Sequence, residues 1–186
     1  MDAVINSFLL VAASEMGDKT QLLAFVLACR FRKPWPVFWG IFVATTLNHF
    51  LAALVGSTVA QWLPEQYLRW VLASIFIVFA FWILIPDKEG DAKEHGHWGA
   101  FLTTVVSFFI AEMGDKTQLA TVALAARYQD IVLVTIGTTL GMMLSNGLAV
   151  FFGDKITERI SMKWIRIFSC VLFIAFGVGL LLGVGY

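Results

Sequence analysis

The eight residues Glu-Met-Gly-Asp-Lys-Thr-Gln-Leu occur twice, at Glu15 to Leu22 and at Glu112 to Leu119, each time inside an apolar stretch. Chance does not produce an identical octet of this kind, so the chain is an internal duplication. Sliding the sequence against itself by 97 residues without a gap also pairs Gly40 with Gly137, Leu51 and Ala52 with Leu148 and Ala149, and Gly56 with Gly153. The same offset pairs Arg69 with Arg166, and Phe76 and Ile77 with Phe173 and Ile174. The expected units are a first repeat at 1–86, a linker at 87–99 and a second repeat at 100–186, together forming one transmembrane domain.

Hydrophobic residues make up 59% of the 186 and charged residues 14%, well below the roughly 25% charge of a soluble domain. Six apolar stretches approach or exceed the roughly 20 residues that cross a hydrocarbon layer, about Asn6 to Leu27, Val37 to Val59, Leu68 to Ile85, Ala100 to Ala125, Ile131 to Phe152 and Lys163 to Val184. Backbone polar groups in lipid pair within their own segment, so all six are read as helices. The fold expected is therefore all-α and polytopic, with six transmembrane helices. Pro34, Pro36, Pro64 and Pro86 fall at segment edges, where a missing N–H does least harm. The first stretch lacks a basic lead and carries Glu15, Asp18 and Lys19 at its centre, unlike a cleaved signal peptide. Cys29 and Cys170 have no ligand-like spacing and receive no role, and a formal net charge of zero argues against a nucleic-acid partner.

Three helices per repeat is an odd number, so tandem copies enter the membrane from opposite sides. The halves are then inverted repeats, a geometry that offers related packings open to either face. Setting aside the intramembrane Lys19 and Lys116, nine of eleven Lys and Arg residues lie on one side, from Arg30, Arg32 and Lys33 through Lys88 and Lys93 to Lys155, Arg159, Lys163 and Arg166. Only Arg69 and Arg127 face the other way. The positive-inside rule puts the 87–99 linker in the cytoplasm and both termini outside, as for a multi-pass inner-membrane protein.

Within a continuous helix, Glu15, Asp18 and Lys19 would share an arc of about 100°, and Glu112, Asp115 and Lys116 likewise. An ionised side chain near the bilayer midplane costs about 2.5–3.5 kcal/mol on insertion scales, so the six must face the protein interior. Intrahelical pairs from Glu15 to Lys19 and Glu112 to Lys116 would account for four of them but assign no partner to Asp18 or Asp115. Brought together, the two motifs hold four carboxylates and two ammonium groups, a formal charge of minus two. One bare divalent cation, or two protons in its place, neutralises that charge. Gln21 and Gln118 stand close enough on the helix to add amide oxygens as ligands, whereas Thr20 and Thr117 project from another face and suit ordinary packing as well as coupling. Gly17 and Gly114 fit a bend or a close helix approach.

Oxygen-rich, thiol-free coordination favours magnesium, calcium or manganese over zinc or copper(I). Asn48 and His49 lie at membrane depth, paired by the repeat with Ser145 and Asn146, and stand as supporting candidates or as interhelical hydrogen-bonding groups. His95 and His97 sit among Asp87, Glu89, Asp91 and Glu94 and are read as part of a solvated linker. Gly40 with Ala44, and Gly137 with Gly141, have the four-residue spacing of close helix packing.

Two Glu-x-Gly-Asp-Lys-Thr motifs opening the halves of a small six-helix chain resemble the family of Ca2+/Mn2+ cation-proton antiporters that includes a Golgi transmembrane protein of manganese homeostasis and bacterial manganese exporters. The chain looks closest to the bacterial members, whose linker is also short. The resemblance spans essentially the whole chain. It implies that Mn2+, with Ca2+ as a second substrate, leaves the cytosol, and that protons are exchanged as in eukaryotic members. It places the motif acids on Glu15, Asp18, Glu112 and Asp115 and the motif lysines on Lys19 and Lys116. The partners expected are a divalent ion, protons and the lipid bilayer, with no prosthetic group; a homo-oligomer is compatible with these features. Three rivals remain: an intramembrane acid-base enzyme, a structural subunit of a membrane complex, and an exporter of small organic cations or amino acids. No Ser/His/Asp or Cys/His set supplies a nucleophile for the first, and the second has no need of midplane charge.

Overall fold

The computed structural model describes residues 1–85, 99–156 and 162–183. Eight helices and no strands occur among them: α1 (Asp2–Glu15), α2 (Lys19–Phe31), α3 (Pro34–Ala60), α4 (Glu65–Ile83), α5 (Ala100–Glu112), α6 (Lys116–Tyr128), α7 (Ile131–Ile156) and α8 (Met162–Leu181). The starts of α6, α7 and α8 follow those of α2, α3 and α4 at the sequence offset. The left-handed caps repeat too, Arg32 at φ 51° and Gln129 at φ 49°, each donating its N–H over 2.9 Å to Ala28 and Ala125 respectively. The all-α class therefore holds, with eight helices where six were expected.

The difference lies at the repeated octet. Neither Asn6 to Leu27 nor Ala100 to Ala125 is one continuous helix; the first breaks between Glu15 and Lys19, the second between Glu112 and Lys116. Apolar residues flank both breaks, and reading each flanked stretch as a single span hides the break inside the polar octet. Helices α3 (Pro34–Ala60) and the stretch Ile131–Phe152 of α7 are long and apolar enough to cross a membrane, while Tyr67–Ile83, Ala100–Glu112 and Arg166–Leu181 are shorter apolar helices.

The two sets of four helices interleave, α1 packing on α7, α5 on α3, α6 on α3, α2 on α7 and α4 on α8. Small residues bring the backbones together. A Cβ on Gly40 would lie 2.9 Å from the Phe101 carbonyl oxygen, one on Gly137 2.6 Å from that of Val4, and one on Gly141 2.7 Å from that of Phe8. These contacts run up the chain in step, so α1 and α7 lie parallel. The outer surface is apolar: Leu47, Phe50, Leu51, Leu54 and Val55 of α3 are exposed, and Trp35, Trp39, Trp62, Trp70 and Trp164 lie exposed near helix ends. Aromatic residues at such places suit the boundary between hydrocarbon and water. The linker with His95 and His97 lies outside the described residues.

Candidate functional site: a carboxylate cluster at two helix breaks

Each break is made by a glycine. Gly17 takes φ +83° and Gly114 φ +77°, a left-handed conformation that a Cβ disfavours. A Cβ on Gly114 would touch nothing within 4 Å, so this glycine is required by backbone conformation rather than by packing. Asp18 and Asp115 then occupy the N-cap positions of α2 and α6 with extended backbone, but neither side chain makes a capping bond. The glutamines serve instead. Gln21 Oε1 accepts the Gly17 N–H at 2.8 Å and Gln118 Oε1 accepts the Gly114 N–H at 2.7 Å, a variant of the capping box. Gln21 also donates to the Ser145 carbonyl at 3.1 Å, tying the first break to α7.

The breaks bring the two motifs to one place. Glu15, Glu112 and Asp115 are all buried, with a carboxylate oxygen from each lying within 4.8 Å of the others. Glu15 ends α1 and Glu112 ends α5, so carbonyl ends of two helices converge on the cluster. The amino ends of α2 and α6 converge there as well, since Thr20 and Thr117, each in a first turn, both donate to the Glu15 carboxylate. Thr20 does so at 2.7 Å to Oε2, and Thr117 to Oε1. Helix amino ends carry partial positive charge and favour a carboxylate, while carbonyl ends favour a cation. Glu112 has no such donors: both its oxygens are buried without a hydrogen bond, as is Asp115 Oδ2. These open oxygens converge where Glu15, Glu112 and Asp115 could share a cation.

The lysines also differ from the helical expectation. Lys19 does not pair with Glu15 four residues before it but reaches across to Asp115, Nζ to Oδ1 at 3.0 Å. Lys116 donates to the Ile85 carbonyl at 3.1 Å and lies 5.8 Å from the Trp82 ring centre. Asp18 stands outside the group of three, lining with Ser14, Glu15, Gly17, Ile85 and Lys116 a small cleft that reaches the first motif.

Asn48 donates to the Phe109 carbonyl at 3.1 Å, one turn from Glu112, and Asn146 donates to Met142 Sδ at 2.9 Å with its Oδ1 unpaired. His49 is fully buried with both ring nitrogens unpartnered and does not join the carboxylate group. Cys29 is exposed and Cys170 buried, both as free thiols. The threonine contacts were hidden from the sequence, because a continuous helix turns Thr20 and Thr117 away from the acids. The positive φ at the preceding glycine turns them back.

Buried carboxylates facing one another at two breaks in apolar helices have the arrangement that secondary transporters use to bind ions. The family model described as "Divalent cation/proton antiporter GDT1" matches residues 3–91 and 100–185, one stretch in each half. The chain belongs to the GDT1 family of divalent cation/proton antiporters and is a membrane transporter rather than an enzyme. It is 44% identical over 175 residues to a candidate manganese exporter of Vibrio cholerae, covering 94% of this chain and 88% of that protein. It is 30% identical over 201 residues to a GDT1-like protein of Synechocystis, covering 96% of both. To the divalent cation/proton antiporter GDT1 of Saccharomyces cerevisiae it is 22% identical over 233 residues, covering 96% of this chain and 82% of the yeast protein. No solved structure matches the chain.

Proposed function

We propose that the chain exports Mn2+ from the cytosol, with Ca2+ as a second substrate, in exchange for protons, and that the carboxylates of the two motifs hold the ion. The observation that carries this reading is the buried cluster of Glu15, Glu112 and Asp115, drawn from both repeats, in which three carboxylate oxygens have no donor. Three carboxylates and the neighbouring Lys19 leave a formal charge of minus two, which one divalent ion or two protons neutralise. Hard oxygen donors suit Mn2+ and Ca2+. Asp18, in the cleft beside Glu15, is the fourth acid and takes the ion at the mouth. Gln21 and Gln118 hold the breaks open and offer the remaining lone pair of each amide oxygen. Lys19 and Lys116 compete with the ion for the acids. Asn48, Asn146 and His49 support the helices beside the site.

The reading extends to topology: α1–α2 and α5–α6 each count as one interrupted span, giving six spans in two inverted repeats, 1–86 and 100–186, with the 87–99 linker cytoplasmic and both termini outside. It is supported by reciprocal packing, α1 on α7 and α5 on α3, and by contact between equivalent residues, Phe76 with Phe173 at 6.0 Å between ring centres. Equivalent residues meet where a two-fold axis passes. Reconstitution in liposomes tests the function. Mn2+ flux with proton counterflow is expected from the wild type and none from Asp115→Asn, with Asp18→Asn slowed; unchanged flux in both variants would remove the site.

A further inference from the structure

We propose that Thr20 and Thr117 are positioning residues that pass as a pair between Glu15 and Glu112, so that one glutamate at a time is open to the ion. The inference rests on the exchange reading above and deepens it. A threonine hydroxyl has one proton to donate. Two hydroxyls therefore satisfy one carboxylate with two bonds, or each carboxylate with one. Here both are spent on Glu15, one from each repeat, while Glu112 keeps two buried oxygens with no donor.

Nothing in the local sequence prefers Glu15, because the two octets are identical. The choice is made by the arrangement of the helices. Exchanging the roles of the repeats gives a second arrangement with the same number of bonds, in which both hydroxyls lie on Glu112 and Glu15 is open. Thr20 and Thr117 ride on the first turns of α2 and α6, and packed helices shift between discrete arrangements rather than continuously, so the two hydroxyls pass together and the two arrangements are discrete. In the arrangement described, the ion would be offered both Glu112 oxygens and Asp115 Oδ2, since Asp115 Oδ1 is taken by Lys19. In the other, by the same relation, it would be offered Glu15 and Asp18. Thr20 and Thr117 thus decide which repeat grips the cargo.

Valine keeps the shape of threonine and loses the hydroxyl. With Thr20→Val and Thr117→Val together, both glutamates are open in either arrangement, the ion is gripped harder in its ground state, and release slows. Metal flux in liposomes is expected to show KM and maximal rate both falling by about tenfold, the worth of a charge-assisted hydrogen bond. Thr20→Ser with Thr117→Ser is expected to bring both values back towards those of the wild type. A fall in rate with KM unchanged or raised, or a serine pair no better than the valine pair, would overturn the proposal.

A second measurement needs neither the valine pair to fold nor any ion to move. With the exposed Cys29 replaced by Ser, alkylation of this chain at Ser14→Cys in isolated membranes reports the cleft beside Glu15. Glu15→Gln weakens the acceptor of both hydroxyls and is expected to slow that alkylation, whereas Glu112→Gln removes an unpaired buried charge and is expected to hasten it, each by about fivefold. Shifts in the same direction, or none, would overturn the proposal. Opposite shifts in a wild type that carries no metal would reject the export reading and uphold this one.

Discussion

Lys19 and Asp115 form an ion pair across the duplication, Nζ to Oδ1 at 3.0 Å, with the carboxylate 5% exposed and the ammonium 27%. One repeat supplies the cation and the other the anion, so the contact joins the halves at the carboxylate cluster. The octet thus works between its two copies as well as within each.

That pairing predicts coupling between distant positions. In a double-mutant cycle of Lys19→Met and Asp115→Asn, read from thermal unfolding in detergent, the two changes are expected to be non-additive by about 1 kcal/mol, reduced from the value of a dry pair because the lysine is partly exposed. A Glu15→Gln and Lys19→Met cycle is expected to show less. Strict additivity for Lys19 and Asp115 would remove the pair.

The breaks predict that glycine is needed at residue 114 for its backbone. Gly114→Ala is expected to cost about 1–2 kcal/mol of stability although its Cβ meets no atom, because the left-handed conformation is strained for any L residue with a Cβ. Gly114→Asn is expected to be milder than Gly114→Ala, because asparagine tolerates the left-handed region better. Equal melting temperatures for Gly114→Ala and wild type would contradict the break.

Close packing predicts a different kind of glycine at residue 56. A Cβ there would sit 2.1 Å from the Val122 carbonyl oxygen, so Gly56→Ala must push α3 away from α6. Overpacking of this kind costs about 1–3 kcal/mol, and asparagine is expected to be worse than alanine, the reverse of residue 114. Melting curves for the two pairs of variants check this directly.

The glutamines predict a separation of stability from affinity. Gln118→Leu removes the acceptor of the Gly114 N–H and is expected to lower stability by about 1 kcal/mol while changing the KM for Mn2+ less than threefold. A loss of affinity of about tenfold or more with stability intact would make the amide a principal ligand of the ion.

Much of this fold and site is legible in the sequence. The duplicated octet marks the repeat, hydropathy places the apolar helices, and the cost of charge in lipid turns the acids inward: Glu15, Glu112 and Asp115 are buried, while Asp18 is half-buried in the cleft beside them. Gly40, Gly137 and Gly141 have the spacing of packing positions, and their backbones do approach the neighbouring helices closely. What escaped was the break. A glycine amid apolar residues is compatible with a bend, a close approach or a stop, and only φ decides among them. Gly-Asp followed three residues later by Gln does carry an N-cap pattern, and at Gly17-Asp18 and Gln21 that signal is outweighed by the apolar runs on either side, which together have the length of one span. Once the helix is assumed continuous, Thr20 and Thr117 turn away from the acids and Lys19 turns towards Glu15. Thr20 and Thr117, which the sequence offers as coupling or packing residues alike, owe their contacts with Glu15 to the break.

The exchange of one divalent ion for two protons is tested most directly by the gradient that stops it. In liposomes holding the purified protein, net Mn2+ flux is measured at a pH difference of one unit while the metal ratio across the membrane is varied. Two protons for one ion predicts that flux ceases at a metal ratio of about one hundredfold, since each proton contributes about 1.4 kcal/mol per pH unit, and that a membrane potential moves that point not at all. Flux that ceases at equal metal concentrations whatever the pH difference would contradict proton exchange at this site.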